Sequence, residues 1–165
     1  FTPEELMAIV KTGQYTEAHN TSYFHKVLVE RQQKCGKWGI ELLNPLDEFR
    51  VEGEELQFTN LSEHYGFSPK GSTRYQVFWH LFDNESQRIV ASSGPVMATQ
   101  PSCSLAFREP FLADDKKFIL AEIHSLNEKH PNWTQGINVY LRPTESGYEV
   151  VGIERQSPAR AFEMR

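Results

Sequence analysis

Apolar positions along this chain follow two rhythms, and the change between them falls near residue 45. In the opening stretch FTPEELMAIVKTG, Leu6, Ile9 and Val10 recur at helical spacing, giving a short helix with one apolar stripe. Its punctuation is complete: Thr2 and Glu5 form a capping box, Pro3 suits the first helical position, Phe1 is placed to staple onto Leu6, and Gly13 follows Lys11 as a stop. Isolated helices shorter than about 12–15 residues are marginal in water, so this one needs a docking surface. A second, longer helix is expected to begin between Thr16 and Ser22, with Phe24, Leu28, Cys35, Trp38 and Leu42 at spacings near the helical period. The segment ERQQKCGK within it is polar on most faces and reads as a solvated ridge, while Gly36 and Gly39 allow a kink or an early end. Asn44-Pro45 ends it at the latest, because the residue before proline is pushed out of the helical region.

Beyond that point side chains alternate. RYQVFWHLFD sets Tyr75, Val77, Trp79 and Leu81 against Gln76, Phe78, His80 and Phe82, with aromatics on both faces, as in a central strand covered on two sides. Asp83 to Ser86 turns it into QRIVAS, and similar runs recur at EELQFTNL, SCSLAF, KFILAEIHSL, QGINVYLRP and GYEVVGIER. The last two are joined by PTESG as a hairpin, with Gly152 marking a bulge or a close backbone approach. No helical period separates these runs, which argues for antiparallel hairpins rather than parallel crossovers. The fold class expected is therefore mostly β (α+β): two N-terminal helices packed on an antiparallel β-sandwich, Ig/fibronectin-like in character, of seven to eight strands. The domain plan is one domain over 1–165, helical over 1–44, sandwich over 45–156, with a tail over 157–165.

Composition narrows the function classes. The apolar fraction of 39%, with eleven Phe, six Tyr and three Trp, predicts a folded aromatic core. A net charge of -5 with no Lys/Arg run gives no footing for nucleic acid or an anionic membrane surface, and no stretch is long and apolar enough to span a bilayer. Residues 1–12 lack the features of a signal peptide, so any export signal is expected upstream. Cys35 and Cys103 fall in different segments without ligand spacing; two independent thiols or one disulfide between helix and sheet both fit. Four of the seven asparagines, Asn20, Asn60, Asn84 and Asn132, sit in glycosylation-type tripeptides, which polar turns also generate, and turn chemistry is the reading adopted.

The stretches FTPEELMAIVKTGQYTE, YFHKVLVERQQKCGKWGIELLNPLDEFRV, VYLR and VVGIER together resemble the C-terminal region of a group of large bacterial proteins, many of them exported and without an assigned activity. In those proteins the second helix more often reads ERRDK; Arg31-Gln32-Gln33-Lys34 departs from it, which weakens any role for those charges. The resemblance implies that this chain is a piece of something longer, with a periplasmic, cell-envelope or secreted location, and with an upstream domain of the same protein or another protein as partner.

Candidate chemistry is sparse. His64-Tyr65-Gly66-Phe67 ahead of SPKGS can present an imidazole and a phenol, or be a turn anchored by two aromatics. His80 lacks a partner at i+2 on its strand and reads as a satisfied or edge-facing histidine rather than a metal ligand. Glu122 and His124 share one strand face, where a carboxylate can orient an imidazole, but Leu120 and Leu126 share that face too. His130-Pro131-Asn132-Trp133 forms a turn whose Trp133 either offers a face to a glycan or a protein groove, with His130 beside it, or folds back over the end of the sandwich. No nucleophile elbow, phosphate loop, zinc-protease helix or calcium loop occurs, and no cofactor or metal is implied. The leading expectation is a non-catalytic interaction or accessory module. The alternative is a hydrolase-like domain with a site between helices and sheet built on His64, Glu122 or His124.

Overall fold

A computed structural model of the chain describes residues 1–106, 117–145 and 147–155; the tail expected over 157–165 lies outside them. The chain forms two compact units, residues 1–39 and 40–165. Together they make a mixed α+β fold with two N-terminal helices and two antiparallel sheets.

In the first unit, α1 (Pro3–Lys11) has the expected capping box at Thr2 and Glu5. α2 (Ala18–Leu42) runs through Gly39, so neither glycine ends it early. The two helices are tied by His25 Nε2 against the Pro3 carbonyl at 2.8 Å and by Gln32 donating to the Phe1 carbonyl at 2.8 Å. Phe1 is 81% exposed, so the expected staple onto Leu6 does not form. Glu30 to Trp38 are all exposed, as a solvated ridge requires. Asn20 sits inside α2 rather than in a turn, a correction to the reading of its tripeptide.

The second unit holds nine strands among the described residues: β1 (Leu46–Glu52), β2 (Glu55–Asn60), β3 (Arg74–Asp83), β4 (Arg88–Ser92), β5 (Val96–Ala98), β6 (Ser102–Ser104), β7 (Lys117–Leu126), β8 (Ile137–Thr144) and β9 (Gly147–Arg155). The smaller sheet has the order β1-β2-β6; the larger runs β4-β3-β7-β8-β9, with β5 also pairing β3. Every pairing described is antiparallel. The alternation read from β3 is what the structure uses: Tyr75, Val77, Trp79 and Leu81 are all buried. The first three join Ile119, Ala121, Ile123, Val139 and Leu141 from their own sheet and Leu46, Leu56, Phe58 and Cys103 from the smaller one in one core. In the β8–β9 hairpin the register slips between Tyr140 and Leu141, beside Gly152, where a Cβ would meet the Tyr140 ring at 3.5 Å.

β1 and β5 were not expected from the alternation. In β1 the pairing shifts between Asp47 and Arg50, and Glu48 takes a positive φ of 53°, so the apolar phase jumps from Leu46 to Phe49 and Val51. A short helix α3 (Leu61–His64) follows β2 directly. Its N-cap is Asn60, whose Oδ1 accepts from the N–H of Ser62 at 3.0 Å and of Glu63 at 3.3 Å while its Nδ2 donates to the buried Tyr75 hydroxyl at 3.1 Å. Burial pushes the Tyr75 phenol up to about 12. Cys35 is exposed, Cys103 is buried, and both thiols are free.

Candidate functional site

Strand alternation sends the core side chains of β3 and β7 to one face of the larger sheet and leaves the other set on the opposite face. Register then decides who meets whom: Gln76 lies opposite His124, Phe78 opposite Glu122, and His80 opposite Leu120 on β7 and Ser92 on β4. The result is a row of polar groups on that second face. Ser92 Oγ is 2.7 Å from His80 Nδ1, and His80 Nε2 is 3.5 Å from Glu122 Oε2. Glu122 Oε1 is 3.0 Å from His124 Nε2, and His124 Nδ1 is 2.5 Å from the Thr134 carbonyl. The side chains of His80, Glu122 and His124 are 11%, 28% and 20% exposed, so this is a half-buried row rather than a solvated one.

The contacts are unequal. Both nitrogens of His124 face acceptors, a carboxylate and a carbonyl, so only the doubly protonated ring donates at both. Its pKa is raised accordingly: the hydrogen bond to Glu122 contributes most, burial opposes, and the Thr134 carbonyl and the Glu122 charge add to the rise. His80 Nε2, by contrast, makes no hydrogen bond despite its nearness to Glu122. The Phe78 ring stands edge-on to His124 at 5.7 Å between centroids.

Beside this row is a shallow depression of about 380 Å³ lined by Gln76, Phe78, Glu122, His124, Leu126 and Thr134. Leu126 also borders a second cavity, of about 210 Å³, at the start of β3 and the end of β7. Among the described residues no group of three His, Cys, Asp or Glu side chains could hold a metal ion. In the row itself the imidazoles turn toward different oxygens of one carboxylate rather than toward a shared point.

The residues singled out from sequence are distributed as follows. Glu122 and His124 do meet, at 3.0 Å. His64 is exposed on α3 with its ring edge-on to Tyr65 at 4.8 Å, apart from the row. Of its two readings Trp133 takes the folded-in one rather than that of a displayed anchor: it is 0% exposed, its indole N–H donates to the Ile40 carbonyl at 3.1 Å, and His130 stacks on it with centroids 4.1 Å apart. A buried indole needs an acceptor, and the one-turn helix Pro131–Thr134 carries the ring to one; Asn132 is held alongside by donating to the Glu41 carbonyl at 2.5 Å. His130 therefore supports a packed aromatic and borders the second cavity. His80 and Ser92 were missed as members of the row, because the partners come across strands rather than along one.

The chain matches no protein-family model, no curated protein and no solved structure.

Proposed function

We propose that this protein is a non-catalytic binding module that takes a neutral glycan surface on the second face of its larger sheet. The observation that carries this reading is the make-up of the depression: an aromatic ring in Phe78, an amide in Gln76 and a carboxylate in Glu122 around an open hollow. Sugar rings present apolar C–H faces and vicinal hydroxyls, and an aromatic ring with amide and carboxylate acceptors is the chemistry that meets both. The histidine in the hollow has both nitrogens committed, so it offers no basic nitrogen to a substrate. The test is titration of the whole chain with a panel of neutral oligosaccharides, read by backbone amide shifts. Millimolar or tighter binding that Phe78→Ala weakens at least tenfold is expected; no binding, or binding indifferent to Phe78, would refute it.

A hydrolase-like reading is favoured by one observation, the 2.7 Å contact of Ser92 with His80 and the nearness of His80 to Glu122. Turnover of ester or glycoside substrates that Ser92→Ala abolishes would replace the binding reading with this one. On the resemblance of its helices we propose an accessory role beside an upstream domain of an exported bacterial protein; finding the full-length protein confined to the cytoplasm would refute that. The finer architecture we propose is a closed sandwich of Ig/fibronectin-like character, on the strength of the core shared by both sheets. A crystal structure with the sheets edge to edge would overturn it.

A further inference from the structure

The second cavity differs in chemistry from the depression it adjoins. Arg74, at the start of β3, and Lys129 bring two cations to its lining against one carboxylate, Glu128, in a chain whose net charge is -5. Neither cation has an ion pair or hydrogen bond from its side chain among the described residues. Asn127 braces the wall: its Nδ2 donates to Thr73 Oγ1 at 3.1 Å and more weakly to Ser72 at 3.4 Å, and its Oδ1 accepts the Lys129 N–H at 3.0 Å. The deciding feature is Ser68. It lines the cavity, is 8% exposed, and its hydroxyl has no hydrogen-bond partner. An unpaired buried hydroxyl is costly, and a hydroxyl that can rotate into a cavity whose lining also holds a guanidinium is what an oxyanion satisfies.

We propose that this cavity is a carboxylate subsite, taking the uronate group of an acidic glycan whose neutral part lies on the depression across Leu126. The assignment to a glycan rests on the binding reading above; the preference for an anion does not. Arg74 would pair with the carboxylate side by side, Ser68 would turn its hydroxyl to it, and Lys129 would add charge at the rim. The volume of about 210 Å³ suits a carboxylate and part of one ring, not a whole disaccharide, which leaves the remainder for the neighbouring hollow.

The test is titration of the full chain with sodium glucuronate, an oligogalacturonate, a neutral oligosaccharide and inorganic phosphate, read by the amides of Ser72, Asn127 and Gln76. Expected are shifts of Ser72 and Asn127 with glucuronate, tighter binding of the oligogalacturonate than of the neutral compound, and at least tenfold weakening of the acidic ligands by Arg74→Gln with the neutral one unchanged. Ser68→Ala should leave the protein at least as stable to urea yet weaken glucuronate binding severalfold, a pattern that a structural role for the hydroxyl would not give. Binding of the neutral compound with no preference for the acidic one overturns this inference and leaves the binding reading standing. Glucuronate binding lost in Arg74→Gln without any oligosaccharide binding keeps the subsite and sinks the glycan surface. Phosphate that binds at Arg74 more tightly than glucuronate, or no ligand shifting these amides at all, overturns the subsite.

Discussion

Asn44 lies in the short stretch between α2 and β1, and its side chain is spent inside the protein. It is buried; Nδ2 donates to the Gln135 carbonyl at 2.9 Å and to the Ile123 carbonyl at 3.3 Å, and Oδ1 accepts from Ser125 Oγ at 2.7 Å. Replacing it with Ala strips a partner from a buried hydroxyl and two carbonyls. Each buried group left without a partner costs about 1–3 kcal/mol, and water entering the vacated space recovers part of it, so Asn44→Ala is expected to cost about 2–4 kcal/mol. With a urea dependence of about 2 kcal/mol/M, the unfolding midpoint should fall by about 1–2 M, followed by the fluorescence of the buried Trp79 and Trp133. Ser125→Ala separates the hydroxyl from the carbonyls. Alone it orphans only Oδ1; combined with Asn44→Ala it removes a hydroxyl already orphaned, so the double variant should be more stable than the sum of the single losses by about 1 kcal/mol. A loss below about 0.5 kcal/mol for Asn44→Ala, or strict additivity in the cycle, would refute a buried network centred on this amide.

Two further outcomes concern titrating side chains elsewhere in the protein. Because the folded pKa of His124 lies above its ordinary value, its contribution to stability is complete below that ordinary value and is lost as pH rises through the folded one; the urea midpoint should fall as pH rises above the ordinary imidazole value of about 6.5, and His124→Gln should remove that part of the fall. An imidazole titrating at or below its ordinary value by proton NMR would contradict this. Burial, with a smaller addition from the Glu55 charge, pushes the Cys103 thiol up to about 12, whereas Cys35 is exposed, so a disulfide-exchange reagent should modify one thiol quickly in the native protein and the other only after unfolding.

What could be read from the chain followed the reach of local physics. The capping box at Thr2, the alternation of β3 and the β8–β9 hairpin each depend on residues close in sequence, and each stands where the pattern put it. β1 escaped because its bulge at Glu48 breaks the period of two on which strand recognition depends. Trp133 stayed open between two readings for a different reason. Its turn has the polar and proline content of an exposed loop, but the acceptor that buries its indole is the carbonyl of Ile40, far away in the chain. Glu122 and His124 were visible as a pair because alternation within one strand fixes the face they share. His80 and Ser92 were not: the β3–β4 hairpin that pairs them slips register between Leu81 and Phe82, and the β3–β7 register that brings His80 to Glu122 joins strands separated by β4, β5 and β6, where no single loop length sets it.

That register also determines which imidazole holds the carboxylate. Glu122 stands between two, and both are close enough to attract it. His124 has the better hold because its other nitrogen is already bonded to the Thr134 carbonyl, which fixes the ring and favours its charged form; each contact strengthens the other. His80 has the Ser92 hydroxyl on its other nitrogen and makes no hydrogen bond to the carboxylate. A charge-relay arrangement needs the carboxylate to orient the histidine that bears the serine. Here it bonds instead to the histidine beside the hollow, at 3.0 Å, and leaves Ser92 paired with a ring it does not hydrogen-bond. The hydrogen-bonded His124–Glu122 pair thus goes to shaping a surface, which is why the binding reading is preferred to the hydrolytic one.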